Sequence, residues 1–146
     1  RTHRERPGIK TYAGADQLED FLKTTEILVC LLPLTYETED ILNKDLFAML
    51  PKDASIINAA RGGHLVEEDL IKALDSGHLS EATLDVFKSE PLDQSHPFWD
   101  HPKITITPHA ASTTHPSSSA RNVADGIRRF ESGEELLNVV DMKRGY

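Results

Sequence analysis

The sequence predicts an α/β fold built on a parallel sheet. Three observations carry that expectation. Short apolar or β-branched runs recur along the chain, stretches with helical spacing separate them, and several runs stop at proline or glycine. Ile27 to Leu32 is apolar throughout, as a strand covered on both faces of a parallel sheet should be.

Arg1 to Gly8 is charged, ends in Pro-Gly and reads as a loop. Ile9 to Ala13 is a candidate short strand. Asp16 to Lys23 then places Leu18, Phe21 and Leu22 at helical spacing, with Gly14 to Asp16 as the start signal. Pro33 closes the strand from Ile27, and Thr35 to Leu42 is expected to form a short helical piece. Asn43 should cap the next helix, whose stripe of Leu46, Phe47 and Leu50 ends at Pro51. Ser55 to Asn58 is a strand. The helix after it opens on Glu67-Glu68-Asp69, carries Leu70, Ile71 and Leu74, and closes at Gly77. Glu81 to Val86 and Lys103 to Thr107 complete the strands, separated by a loop with prolines at 91, 97 and 102. Pro116 to Glu131 is helical through Val123, Ile127 and Phe130 and stops at Gly133; the tail beyond carries no strong signal.

With 146 residues the chain fits one domain of ordinary size. Its 16 basic residues against 24 acidic ones leave a net charge of -8, which argues against nucleic acid or an anionic membrane as partner. Cys30, the single cysteine, lies in an apolar run and is expected to be buried. With no disulfide framework, no apolar run of membrane length and no signal-peptide core, a reducing, cytoplasmic setting is the default.

In a parallel sheet of this kind, chemistry lies beyond the carboxyl ends of the strands. Those ends carry Leu32-Pro33-Leu34, Ala59-Ala60-Arg61, Asp85-Val86-Phe87 and Thr107-Pro108-His109. Ala59 and Ala60 add little bulk, and Gly62-Gly63 allow a positive φ, so the backbone can approach a ligand closely. Arg61 can grip a carboxylate or a polarised carbonyl with two parallel hydrogen bonds; a surface arginine on a tight turn is the competing reading. Glu90 and His109 both follow strands. A carboxylate beside a histidine favours the imidazolium and raises its pKa, which keeps a proton donor available near neutrality.

Four ordered motifs turn these fragments into a pattern: Leu32-Pro33-Leu34-Thr35 with Thr38, Ile57-Asn58-Ala59-Ala60-Arg61-Gly62, Leu84 through Leu92, and Pro97-Phe98-Trp99 leading to Thr107-Pro108-His109. With them the chain resembles the D-isomer-specific 2-hydroxyacid dehydrogenases, and among these the glyoxylate/hydroxypyruvate reductases. The resemblance implies a catalytic triad of Arg61, Glu90 and His109. It also implies that Leu32, Pro33, Thr38, Ala59, Ala60, Arg61, Asp85, His109 and Ala111 line a nicotinamide dinucleotide. In that scheme Arg61 holds a small 2-oxoacid, hydride passes to its carbonyl carbon, and His109 protonates the developing alkoxide while Glu90 keeps His109 charged. The C-terminal binding protein corepressors resemble the same family, so a dinucleotide-sensing interaction protein is the alternative.

One family motif is absent. Gly-x-Gly-x-x-Gly, which seats a pyrophosphate at a helix N-terminus, occurs nowhere in the 146 residues. The expected architecture is therefore a partial Rossmann-type doubly wound parallel sheet lacking its first βαβ unit. Residues 1–112 would be the C-terminal portion of a dinucleotide-binding domain, and residues 113–146 its closing helix and tail. Such a piece should be inactive alone, whereas the full-length protein should be a homodimer. Arg1, Thr2 and Arg4 fall near the end of the absent second strand, where arginine accommodates a 2'-phosphate. They favour NADP(H) over NAD(H); a solvated basic loop is the plainer reading. No metal is expected, since His96 and His101 sit in a proline-rich loop without cysteines and His3, His64, His78 and His115 lack ligand spacing. Trp99 is either a pocket wall or a packing plug.

Overall fold

The four apolar runs assemble edge to edge. In the computed structural model, which describes residues 7–142, strands β1 (Ile27–Cys30), β2 (Ala54–Asn58), β3 (Leu79–Leu84) and β4 (Ile104–Ile106) form one sheet in the order β1-β2-β3-β4. Every pairing is parallel, and the register sets Cys30 beside Asn58, Asn58 beside Leu84 and Leu84 beside Ile106. All four carboxyl ends therefore open on one edge. Arg1, Thr2 and Arg4 lie outside the described residues.

Helices α1 (Leu18–Leu22), α2 (Lys44–Met49), α3 (Glu67–Asp75) and α4 (Pro116–Ser132) complete the framework. Asn43 caps α2 as expected: its side-chain oxygen accepts from the Asp45 and Leu46 amides at 3.0 and 3.1 Å, satisfying donors that a helix start leaves unpaired. Glu67, Glu68 and Asp69 occupy the first turn of α3, and Gly77 takes up a φ of 73° just beyond its end. Leu22, Leu46, Phe47, Leu70 and Leu74 pack with Leu28, Ile56, Leu79 and Leu84 in the core. Cys30 belongs to the same core.

Three expectations change on folding. Thr35 to Leu42 forms turns and no helix, because the Asp40 amide donates to the Gly63 carbonyl and Leu42 pairs with Leu65, both far along the chain. Residues 9–13 form no strand span; Gly8 and Gly14, with φ of 77° and 82°, bracket them, and among the described residues no strand runs alongside. Among the described residues β1 is covered on one face only: Leu28 and Cys30 are buried, whereas Ile27 and Val29 are exposed with Leu31 beyond them. No residue of α4 is buried, and its Val123, Ile127 and Phe130 line an open apolar groove with Leu136, Leu137 and Val139. Among the described residues no helix is long and apolar enough to cross a membrane.

Candidate active site

At the end of β2 the chain turns sharply. Asn58 has no exposed surface; its side chain accepts from the Ala60 amide at 3.2 Å and donates to the Arg61 carbonyl at 3.1 Å, closing the turn on itself. Neither Gly62 nor Gly63 has a positive φ, so the conformational reading of those glycines is corrected. Gly62 is needed for space: a Cβ there would lie 1.9 Å from the Phe87 carbonyl carbon and 2.3 Å from the Lys88 nitrogen. The turn that carries Arg61 thus packs backbone to backbone on the loop that carries Glu90. The Arg61 side chain is exposed and donates to the Ala60 carbonyl at 2.6 Å.

Beyond β3, Glu90 accepts from the Phe87 amide at 2.9 Å through one oxygen and meets Nδ1 of His109 at 2.8 Å through the other. The contact with His109 comes first, and the Phe87 amide next, in holding the Glu90 carboxyl below the usual carboxylate range; the His109 and Arg61 charges add weaker attraction. Both side chains keep open surface, about half for His109 and 37% for Glu90, so the pair is reachable by a ligand. His109 has a φ of 53°, a region that side chains other than glycine enter only when their surroundings hold them there.

Asp85 holds them there. It is buried, accepts from the Thr107 hydroxyl, and takes the Ala110 and Ala111 amides at 2.9 Å each. Burial works to raise its pKa, but those three hydrogen bonds outweigh it and leave the carboxyl below its ordinary value. The loop that presents His109 is therefore tied to the end of β3 by one carboxylate.

The structure brings Arg61, Glu90 and His109 to one edge, with half-buried Ala59 and buried Ala60 between β1 and β3. The remaining residues assigned to the dinucleotide are placed less alike. Leu32 is half-buried, and Pro33 and Ala111 are exposed at the same edge. Thr38 is buried, with its hydroxyl donating to the Pro33 carbonyl at 2.7 Å and accepting from the Thr35 amide, so it shapes the turn. Trp99 is half-exposed and ties its indole N–H to the Asp93 carbonyl at 2.8 Å. Asn58, Thr107 and His64 supply further polar groups at this edge. Asn58 and Thr107 lie inside the quoted motifs, where no role was assigned to them; His64 carried no signal.

The profile of the family described as D-isomer specific 2-hydroxyacid dehydrogenase, NAD binding domain, matches residues 1–111. The chain belongs to the D-isomer-specific 2-hydroxyacid dehydrogenases. It is 49% identical over all 146 residues to glyoxylate/hydroxypyruvate reductase A of Serratia proteamaculans, covering 47% of that protein. Identity to the protein of the same description from Photorhabdus laumondii is 47%, again over 47% of its length. A crystal structure of a family member from Xanthobacter autotrophicus in complex with NADPH and MES superposes with a TM-score of 0.94 at 45% identity, over all of this chain and 60% of that one. The NADPH-dependent glyoxylate/hydroxypyruvate reductase of Sinorhizobium meliloti, in complex with NADP and sulfate, gives 0.93 at 44% identity, over all of this chain and 48% of that one. The chain spans about half the length of the curated relatives it matches.

Proposed function

We propose that the whole protein is an NADPH-dependent reductase of small 2-oxoacids, glyoxylate or hydroxypyruvate, and that this chain supplies its catalytic triad. The observation that carries the reading is the 2.8 Å contact between His109 and Glu90 at the edge that also holds Arg61. The Arg61 guanidinium binds the carboxylate and keto oxygen of the substrate in a bidentate grip. His109 gives its proton to the oxygen that becomes the hydroxyl, and Glu90, on Nδ1, keeps the ring oriented for that transfer.

The cofactor fits this edge because Ala60 and the half-buried Ala59 leave the strand ends narrow, with Leu32, Pro33 and Ala111 accessible beside them. We assign these residues, with Thr38 and Asp85 shaping the loops, to the dinucleotide, which when bound supplies the hydride. Arg1, Thr2 and Arg4 are assigned to the 2'-phosphate, a reading supported by the NADPH and NADP in the similar crystal structures. The family match ends at residue 111, which supports treating residues 1–112 as part of the dinucleotide-binding domain and 113–146 as a closing helix and tail. A homodimer follows from the family resemblance, and a reducing, cytoplasmic setting from the single buried cysteine.

The test is spectrophotometric: the full-length protein should oxidise NADPH with glyoxylate or hydroxypyruvate. Capture of a protein partner without turnover of either acid would overturn the proposal, and a preference for NADH would remove the 2'-phosphate role.

A further inference from the structure

We propose that His64 is a positioning residue for Arg61: a neutral imidazole whose Nδ1–H holds the Arg61 carbonyl and so sets where the guanidinium stands. The proposal rests on the reading of Arg61 as the substrate-binding arginine. His64 has no exposed surface, and its Nδ1 lies 2.9 Å from the Arg61 carbonyl oxygen. A carbonyl can only accept, so the proton is on Nδ1. Nε2 is buried and has no hydrogen-bond partner among the described residues. A proton there would sit in the interior with no acceptor, so the ring is the neutral Nδ1–H tautomer.

That orphaned nitrogen separates positioning from mere filling. An apolar side chain of similar size would occupy the same volume without burying an unpaired polar atom, which costs free energy. What imidazole adds is the single bond to Arg61. The same carbonyl also takes the His64 backbone amide at 3.2 Å and the Asn58 side-chain amide at 3.1 Å, so Arg61 is clasped from the strand by one fully buried side chain and from the turn by another. Gly62, the next residue, is pressed against the Phe87 backbone, which crowds the same turn. Loss of the His64 bond should let the guanidinium drift relative to His109, and a misplacement of about 1 Å at a reacting centre costs on the order of 100-fold in rate.

The experiment compares His64→Leu, His64→Asn and His64→Gln in the full-length enzyme. Asparagine places an N–H near the position of Nδ1, glutamine near that of Nε2. His64→Leu should raise KM for the 2-oxoacid and lower kcat/KM about 10–100-fold. KM for NADPH and the pH profile of turnover should stay unchanged, and His64→Asn should recover most of the loss. Unaltered kinetics in His64→Leu, or equal damage from leucine and asparagine, would overturn the proposal. If the leucine variant does not fold, asparagine must outperform glutamine; parity or the reverse order refutes it. Nitrogen-15 NMR gives a readout independent of the substrate. His64 should show a protonated Nδ1 and bare Nε2 at neutral pH, and the Arg61 Nε resonance should move in His64→Leu but not in His64→Asn. An Nε2–H tautomer or an imidazolium would sink the idea. If the wild-type enzyme turned over no 2-oxoacid, the functional reading would fail while these spectra still judged His64.

Discussion

His109 meets Glu90 through Nδ1, which leaves its Nε2 as the ring nitrogen available to a substrate oxygen. Replacing His109 by glutamine removes the titrating ring, and turnover by the full-length enzyme should fall roughly 10²–10⁴-fold. Turnover at the wild-type rate would take His109 out of the mechanism. Asp85 acts one bond further away. Asp85→Asn would turn an amide N–H₂ toward donors that now meet a carboxylate, at a cost of about 1–3 kcal/mol in urea unfolding. Its pH dependence has a definite sign. Because the folded Asp85 carboxyl titrates below its ordinary value, its stabilisation is complete above about pH 4 and is lost as pH falls through the lower folded value. The difference in urea midpoint between wild type and Asp85→Asn should therefore shrink in strong acid. Arg61, Glu90 and His109 were legible because each sits inside a motif at a strand end. His64 was not: its role depends on which nitrogen is buried and what the other one touches, and spacing records neither.

Among the elements, local signals survived folding and non-local ones did not. The Asn43 cap, the acidic start of α3 and the glycine beyond its end act within one helical turn, so neighbouring residues sufficed to find them. Thr35 to Leu42 was expected to form a short helical piece but obeys Gly63 and Leu65, more than twenty residues on. That segment wraps the Arg61 turn. Lys88 pairs with Asp40 at 2.8 Å, and the Asn43 amide donates to the Asp40 carbonyl, also at 2.8 Å. Asn43→Ala should thus cost about 1 kcal/mol of stability, the usual worth of a cap, and should also loosen the wrap. Urea denaturation measures the first effect. A raised KM for the 2-oxoacid in the full-length enzyme would report the second, and a normal KM would confine Asn43 to helix capping.

For the whole molecule, the parallel sheet and its functional edge were legible because the apolar runs announce buried strands and their ends are read directly. The bare face of β1 was not, since an apolar run does not say whether a covering layer is present. Ile27, Val29 and Leu31 on that side, with the groove along α4, form apolar surface of the kind that drives association. The 146-residue chain on its own should therefore self-associate in light scattering and turn over no 2-oxoacid; a well-behaved active monomer would contradict both expectations.

The contact of Gly62 with the Phe87 backbone has a consequence for inheritance and for engineering. The Arg61 turn and the Glu90 loop touch where a side chain has no room, so they should behave as one cassette: a changed loop length on either side should displace Arg61 and Glu90 together. Substitutions at Gly62 and in the Phe87–Glu90 loop should be strongly non-additive in double-mutant cycles.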